Sequence, residues 1–233
     1  MNDDRAAIQE FGGVARLFPL PGLVFFPTAT QPLHIFEPRY RAMTADALAS
    51  DRLIALVLLK EGWEEDYDNR PAVHRVAGLG RIVADQLLPD GRYNLILRGL
   101  ARVRIDEELD CETLFRRARV SVLNDESTAD VDELMGLRTA LSDLMLPRVS
   151  EGPSREQLRS LFKGELPLGQ LCDVLSFALP LRPEAKQELL ETLVVPERAR
   201  RLMEAFTAIS GGPAAKPVGA GVGKRFPPDF SRN

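Results

Sequence analysis

The chain has 233 residues, of which 45% are hydrophobic and 27% are charged, a balance typical of a soluble globular protein of one large or two small domains. Its 30 basic and 34 acidic residues give a formal net charge of −4, which disfavours binding to nucleic acid or to an anionic membrane. Two cysteines and two histidines are too few for a disulfide framework or a zinc centre. The composition therefore predicts no metal and no cofactor.

An uncharged stretch from Leu17 to Phe36 has the length of a membrane-spanning helix. It contains four prolines, which would interrupt such a helix repeatedly: Pro19, Pro21, Pro27 and Pro32. The residues before it are partly acidic, which is the wrong charge for the start of a signal peptide. We therefore expect a cytoplasmic chain with no membrane partner.

The pattern from about residue 14 to residue 124 predicts a β-rich lobe, preceded by an N-terminal extension at 1–13. The apolar run 53–59 predicts a buried strand, and Gly78 and Gly80 mark bulges or close approaches in a second strand at 76–88. Alternating patterns predict further strands at 92–98, 102–106 and 117–122. One helix is expected to begin at Pro38. Short strands at this spacing indicate a barrel or a curled sheet.

After Asn124 the hydrophobic period changes from two to about 3.6 residues, which predicts a helical lobe at 125–210. Ser127 or Thr128 is placed to cap its first helix, and Ser154 with Gln157 has the spacing of a capping box before the second. The segment from Leu168 to Leu179 is apolar on nearly all sides and is expected at the centre of the lobe. Residues 211–233 are rich in Gly and Pro and predict a disordered basic tail.

No motif in the sequence predicts catalysis. The glycines at 219–223 and Lys224 lack the first glycine of a phosphate-binding loop and the Ser or Thr that follows its lysine. His34 and Glu37 have the spacing of an acid–base pair, but one histidine and one carboxylate do not complete a metal site. Neither Cys111 nor Cys172 has a histidine nearby in the sequence to activate it. We therefore predict that the chain is not an enzyme.

The segment 61–68 is the most conspicuous exposed candidate for partner binding. It carries five acidic residues together with Trp63, the only tryptophan, and Tyr67. A solvated loop explains this composition, and so does a mobile lip whose aromatic rings contact a partner.

Three segments together resemble the N-terminal substrate-binding (LON) domain of Lon proteases. The first comprises residues 17–22 (LFPLPG), 24–27 (VFFP) and 32–41 (PLHIFEPRYR). The second comprises residues 78–82 (GLGRI) and 88–95 (LPDGRYNL), followed by Arg98 and Gly99. The third is residues 179–191 (LPLRPEAKQELLE), with Val195 and Arg198. The resemblance extends over about residues 14–207.

The resemblance implies an α+β fold, with a PUA-like β-rich pseudo-barrel at 14–124 followed by an α-helical bundle. It also implies a non-catalytic recognition module, similar to the stand-alone bacterial members that lack the ATPase and peptidase modules, so that a protease activity is not expected. We interpret most residues of the first signature as structural, because prolines and packed aromatic side chains specify a fold. These residues are Pro32, His34, Phe36, Glu37, Pro38, Arg39 and Tyr40.

The leading hypothesis is that the chain binds unfolded or partly folded polypeptides, with an ATP-dependent protease as a second expected partner. The candidate partner-binding residues are Phe25, Phe26, Trp63 and Tyr67. The alternative is RNA or small-ligand binding through the PUA-like lobe, which requires its arginines to form one basic face. Those arginines are Arg98, Arg102, Arg104, Arg116, Arg117 and Arg119.

Overall fold

The computed structural model describes residues 2–66, 70–127 and 129–210. These residues form two compact units, one ending at Leu123 and the other beginning at Asn124. The tail predicted at 211–233 lies outside the described residues, as do Tyr67 and Thr128. No helix in the described part of the chain is both long enough and apolar enough to cross a membrane.

The first unit contains six strands and two α-helices. In chain order they are α1 (Asn2–Gln9), β1 (Val14–Leu20), β2 (Thr30–Ile35), α2 (Pro38–Leu48), β3 (Leu53–Leu58), β4 (Val76–Leu87), β5 (Tyr93–Leu109) and β6 (Arg117–Leu123), with a short 3₁₀ helix at Trp63–Asp66 between β3 and β4. Helix α2 begins at Pro38 as predicted, because proline has a suitable φ and lacks only an N–H that the first turn does not use. Helix α1 was not predicted.

Five of the six strands form a closed ring in the order β5-β4-β3-β1-β6, with β6 pairing back onto β5. Strands β1 and β3 are parallel, and the other pairs are antiparallel. Strand β5 is long enough to pair with β2 over residues 93–98 and with β6 over residues 102–109 along the same side. The predicted α+β fold with a β-rich first lobe is confirmed.

The core of the first unit lies among these strands. All six residues of β3 are buried, as the continuous apolar run predicted. Side chains from the neighbouring strands pack with them, among them Leu17, Leu79 and Val103. Because this side-chain layer comes from every strand of the ring, the strand ends and their connecting loops hold fixed positions around it.

Strand β5 differs from the prediction, which divided it into two strands near residue 100. The structure has one continuous strand, and the opposing β4 shifts register between Leu79 and Gly80, where Gly80 faces Gly99. A bulge bends a strand without ending it, so the break in the alternating pattern is a bend and not a turn.

The chain between β1 and β2 crosses closely over β4 and β5. A Cβ atom at Gly78 would lie 2.8 Å from the carbonyl carbon of Phe25, and one at Gly99 would lie 3.0 Å from that of Phe26. Only glycine permits two backbones to approach this closely. Gly78 is therefore a close-approach position, which is one of the two roles predicted for it.

The second unit consists of five α-helices and a short 3₁₀ helix at Leu146–Arg148. The α-helices are α3 (Val131–Met145), α4 (Pro153–Lys163), α5 (Leu168–Ala178), α6 (Pro183–Glu191) and α7 (Val195–Ser210). Helix α5 is buried over most of its surface, which agrees with its apolar sequence. Buried residues of α7, including Ala199, Leu202 and Phe206, complete the core.

The caps of α3 and α4 differ from the predicted ones. Asp130 caps α3, its carboxylate accepting a hydrogen bond from the Glu133 backbone N–H at 2.8 Å, whereas Ser127 lies before the helix. Helix α4 begins at Pro153 after Gly152, so Ser154 lies inside the first turn and does not cap it. The sequence offered several polar residues in a row, and backbone geometry selects the one directly before the first helical residue.

Replacing Asp130 with alanine is expected to lower the free energy of unfolding by about 1 kcal/mol, because the N–H of Glu133 loses its acceptor. Urea unfolding followed by circular dichroism measures the change. Ser127→Ala is the matched control and should leave stability unchanged. A larger effect from Ser127→Ala than from Asp130→Ala would contradict the assignment of the cap.

Candidate functional site

The start of α2 brings several signature residues to one end of the first unit. Glu37 precedes the helix and binds Arg39 at 2.9 Å, while its backbone carbonyl accepts hydrogen bonds from the Tyr40 and Arg41 N–H groups. The Tyr40 ring packs on Phe18 of β1 with ring centroids 4.4 Å apart. These contacts attach α2 to the sheet and orient the Arg39 guanidinium, which lies over the Tyr40 ring.

The other signature residues lie on and after β2, the outermost strand of the sheet. Pro32 is exposed there, where a residue without an N–H discourages further strand pairing. His34 Nδ1 lies 2.8 Å from the Asn94 side-chain oxygen on β5, and the His34 ring stacks near Phe36. His34 and Glu37 thus have different partners, and they do not form an acid–base pair.

A cleft of about 100 Å³ opens where β1, α2, the end of β3 and the β5–β6 loop meet. Apolar and proline side chains form much of its lining, and three arginines contribute positive charge. The lining residues are Pro19, Arg39, Tyr40, Leu59, Arg70, Pro71, Thr113, Leu114, Phe115 and Arg116.

Arg116 is the best-fixed cation of this cleft. Its Nε donates to Glu108 at 2.9 Å, its Nη2 donates to the other oxygen of the same carboxylate, and its Nη1 donates to the Pro71 carbonyl at 2.8 Å. A guanidinium carries five N–H donors, so two remain for a ligand. Because Glu108 and Pro71 fix its position, Arg116 loses little side-chain freedom when it binds a polar group.

Leu114 supplies the exposed apolar part of the site. It is 70% exposed, although its neighbour Phe115 is buried. An exposed leucine beside arginine donors and an aromatic ring suits an extended peptide, which offers both apolar side chains and carbonyl acceptors. The cleft therefore has the chemistry of a binding site.

The β3–β4 loop frames the same cleft. Its two ends are joined by the pairing of Leu59 with Val73 and by the hydrogen bond from the Lys60 N–H to the Ala72 carbonyl. Leu59 and Pro71, at those ends, line the cleft. Trp63 lies on the loop in the 3₁₀ helix and is half-buried.

The predicted partner-binding residues are not all at this surface. Phe25 and Phe26 are fully buried and pack within the first unit, so their rings contact no external partner in this conformation. Sequence patterns did not single out Leu114 or Arg70, and Arg116 was considered only as part of a basic face for RNA. The only available signal was one leucine in the polar segment 110–114, which is weak because single exposed leucines are common.

The arginines considered for RNA binding are largely compensated by carboxylates on the same surface. Arg98 pairs with Asp4 of α1, Arg104 with Asp106, and Arg116 with Glu108. Hydrogen bonds from Ser121 and Arg104 lower the pKa of Asp106, so this carboxylate carries the negative charge that compensates Arg104. Arg102 is buried, and Arg119 lies 3.8 Å from Glu107. The β5–β6 surface therefore alternates in charge.

The described residues include no group of three or more His, Cys, Asp or Glu side chains that could hold a metal ion. Cys111 and Cys172 are free thiols. Cys111 lies 3.0 Å from the Thr113 hydroxyl, and Cys172 is buried in α5. The described side chains that line the cleft offer hydrogen-bond donors and apolar surface, which are the contacts that a binding site provides.

A protein-family model of the substrate-binding domain of ATP-dependent protease La (LON) matches residues 14–207. The chain is 31% identical over 202 residues to a Lon protease of Heliobacterium modesticaldum, covering 86% of this chain and 24% of that protein. It is 29% identical over 196 residues to a Lon protease of Dictyoglomus thermophilum, and this match covers 83% of this chain and 24% of that protein. The chain thus spans about a quarter of the length of these relatives.

Two solved structures share the fold. One is the crystal structure of a Lon N-terminal domain protein from Xanthomonas campestris, with a TM-score of 0.60 and 24% identity over 82% of this chain and 97% of that one. The other is the N-terminal domain of a Mycobacterium avium complex Lon protease. Its TM-score is 0.64 and its identity is 18%, and the match covers 83% of this chain and 98% of that one.

Proposed function

Because the chain belongs to the family of LON substrate-binding domains, we propose that it is a non-catalytic module that binds unfolded or partly folded polypeptides. The observation that carries the proposal is the cleft of the first unit, where the exposed Leu114 lies beside the fixed guanidinium of Arg116. Unfolded segments expose apolar side chains and unpaired backbone carbonyls together, and this pair of residues offers a contact for each.

The cleft explains why binding would tolerate many sequences. Leucine contacts are non-directional, and arginine N–H groups can donate hydrogen bonds to any carbonyl or carboxylate oxygen. Trp63 lies on the loop whose ends line the cleft, and its amphipathic ring is the proposed further contact for the polypeptide. An ATP-dependent protease is the proposed consumer of the bound polypeptide, and a cytoplasmic location is part of the same proposal because both cysteines are free.

RNA remains the weaker candidate. Binding to phosphates needs cations whose charge is not already compensated. Pairing of Arg98, Arg104 and Arg116 with carboxylates removes much of that charge.

Titration with a fluorescent, permanently unfolded polypeptide tests the proposal. The full chain is expected to bind it saturably, and Leu114→Asp is expected to weaken binding about tenfold, since a charge replaces the exposed apolar contact of the cleft. Trp63→Ala should weaken it by a smaller factor.

Leu87→Asp is the matched control, because Leu87 is another largely exposed leucine of the same unit, at the end of β4, and does not line the cleft. It should leave binding unchanged. The proposal fails if the full chain shows no saturable binding at tens of micromolar, or if the two leucine variants lose the same affinity.

A further inference from the structure

Strand β4 continues past the end of its neighbour β3 and therefore has an open edge. Its pairing with β3 ends where Arg81 faces Leu53, whereas its pairing with β5 continues to Leu87. All residues from Val83 to Leu87 are exposed, and among the described residues no strand pairs with them on the side away from β5. We call residues 83–87 the β4 edge, and an edge of this kind can accept a further strand.

The backbone of the β4 edge directs polar groups outward. At the hairpin that joins β4 to β5, the Leu88 N–H donates to the Arg92 carbonyl at 2.8 Å, so Leu88 turns its backbone groups toward β5. Because successive residues of an antiparallel strand turn these groups to alternate sides, Asp85 and Leu87 direct their N–H and C=O groups away from β5. These groups offer hydrogen bonds to an incoming strand, and the exposed side chains of Val83 and Leu87 offer it apolar contact.

Arg52, directly before β3, covers the start of this edge. Its backbone carbonyl accepts a hydrogen bond from the Ile82 N–H at 2.9 Å, and its Nε donates to the Ile82 carbonyl at 3.0 Å. Both outward groups of Ile82 are therefore occupied. The Nη2 of the same guanidinium donates to the Asp85 carboxylate at 2.5 Å. The guanidinium thus bridges Ile82 and Asp85 and lies beside the backbone between them.

The backbone of Arg52 has a conformation that favours glycine. Its φ is +62°, in the left-handed region, and its N–H donates to the Ala47 carbonyl of α2 at 2.9 Å. A glycine would form this turn without strain, so the turn by itself does not require arginine. The hydrogen bonds that the Arg52 side chain makes with described residues all go to β4. What arginine adds at this position is therefore its contact with the β4 edge.

We propose that Arg52 and Asp85 guard the β4 edge against pairing with the same edge of a second copy of this chain. Two such edges are self-complementary in the antiparallel register centred on Asp85, because Val83 of one copy then faces Leu87 of the other. In that register the two Asp85 carboxylates face each other, and the strands can meet only if Arg52 leaves its partners. The guard does not involve the cleft, which lies at the other end of β3.

The test compares the full chain with a double variant, Arg52→Gly with Asp85→Val. Glycine adopts the backbone conformation of Arg52 without strain, and valine suits an edge strand, so this variant removes the guard and keeps the fold. Sedimentation velocity at about 1–200 μM should show dimers whose dissociation constant is at least about tenfold lower than that of the wild-type chain. Asp85→Val alone, which changes one exposed residue and keeps Arg52, should lower it by about threefold.

Amide hydrogen exchange measured by NMR shows where the copies pair. In the wild-type chain the amides of Asp85 and Leu87 should exchange rapidly, whereas those of Ala84 and Gln86, which face β5, should be protected. In the double variant, the amides at positions 85 and 87 should become protected as the protein concentration rises. Protection of the Asp85 and Leu87 amides in the wild-type chain at the same concentrations would overturn the proposal, because the edge would then pair despite the guard.

Two controls separate edge pairing from a general increase in self-association. Glu197→Val with Arg201→Ala removes an exposed ion pair of α7 and adds the same valine away from any sheet edge, so it should sediment as the wild-type chain does. Adding Leu87→Pro to the double variant should restore wild-type sedimentation, because proline removes an outward N–H and no hydrogen bond to β5. The proposal is wrong if the double variant and Asp85→Val both sediment as the wild-type chain does, or if the α7 control dimerises equally.

Discussion

Replacing Arg198 with methionine is expected to lower the free energy of unfolding of the helical unit by about 3–5 kcal/mol. The Arg198 side chain is completely buried and contacts two carboxylates, Asp125 at 2.5 Å and Asp173 at 3.2 Å. Its Nε also donates to the Thr192 carbonyl at 2.8 Å. Methionine fills similar volume but leaves Asp173, itself 2% exposed, without its cationic partner in the core.

The electrostatics of Arg198 explain the size of this effect. Burial alone lowers the pKa of its guanidinium, but the hydrogen bond to Asp125 and the charges of Asp173 and Asp125 outweigh burial and hold that pKa above its usual value. The cation is therefore more stable in the folded protein than in water. Removing it reverses that balance, because the buried carboxylate then loses the charge that compensated its desolvation.

Urea unfolding followed by far-UV circular dichroism measures the loss, since helices of the second unit dominate that signal. Arg201→Met is the matched control on the same helix, because Arg201 pairs with Glu197 at an exposed position and should cost less than about 1 kcal/mol. A double variant, Arg198→Met with Asp173→Leu, should recover part of the stability. Equal losses from Arg198→Met and Arg201→Met would contradict a buried ionic centre.

Replacing Gly99 with alanine is expected to destabilise the first unit by about 3 kcal/mol. The added Cβ would lie 3.0 Å from the Phe26 carbonyl carbon and 3.1 Å from the Pro27 Cα. Both are backbone atoms, which cannot move aside as a flexible side chain does. Relieving the clash would separate segment 24–28 from β5 and expose the buried rings of Phe25 and Phe26.

Trp63 is the only tryptophan and lies in the first unit, so its fluorescence during urea unfolding measures the stability of that unit. Gly12→Ala is the control, because a Cβ at Gly12 meets no atom within 4 Å. It should change stability by less than about 1 kcal/mol. A Gly99→Ala protein as stable as the Gly12→Ala protein would show that the two backbones do not need this close approach.

Phe25 and Phe26 illustrate where sequence reasoning about the site failed. Two adjacent aromatic residues between prolines were candidates for partner contact, yet both are buried. Their burial depends on Gly78 and Gly99, which are far away in sequence and become neighbours only when β4 and β5 pair. A residue's exposure is a property of the packed chain, and a sequence pattern reports only on local periodicity.

Leu114 and Arg116 illustrate the opposite case. They lie in a short loop with no motif, and they become a candidate site because the β5–β6 loop meets α2 and the β3–β4 loop at one end of the first unit. Arg198 is similar, since a basic residue on an amphipathic helix ordinarily faces solvent. Its partners Asp125 and Asp173 lie on separate segments, and the fold of the second unit brings them together.

The sequence by itself determined the family, the α+β class and the change from strands to helices near residue 125, because hydrophobic period and turn residues act over a few neighbouring positions. Length and composition excluded a basic nucleic-acid binder and a disulfide-rich fold. Only the tertiary structure decided that β5 is one bent strand, that Phe25 and Phe26 are core, and that the cleft of the first unit exists. These features depend on contacts between residues distant in the chain, which no local pattern encodes.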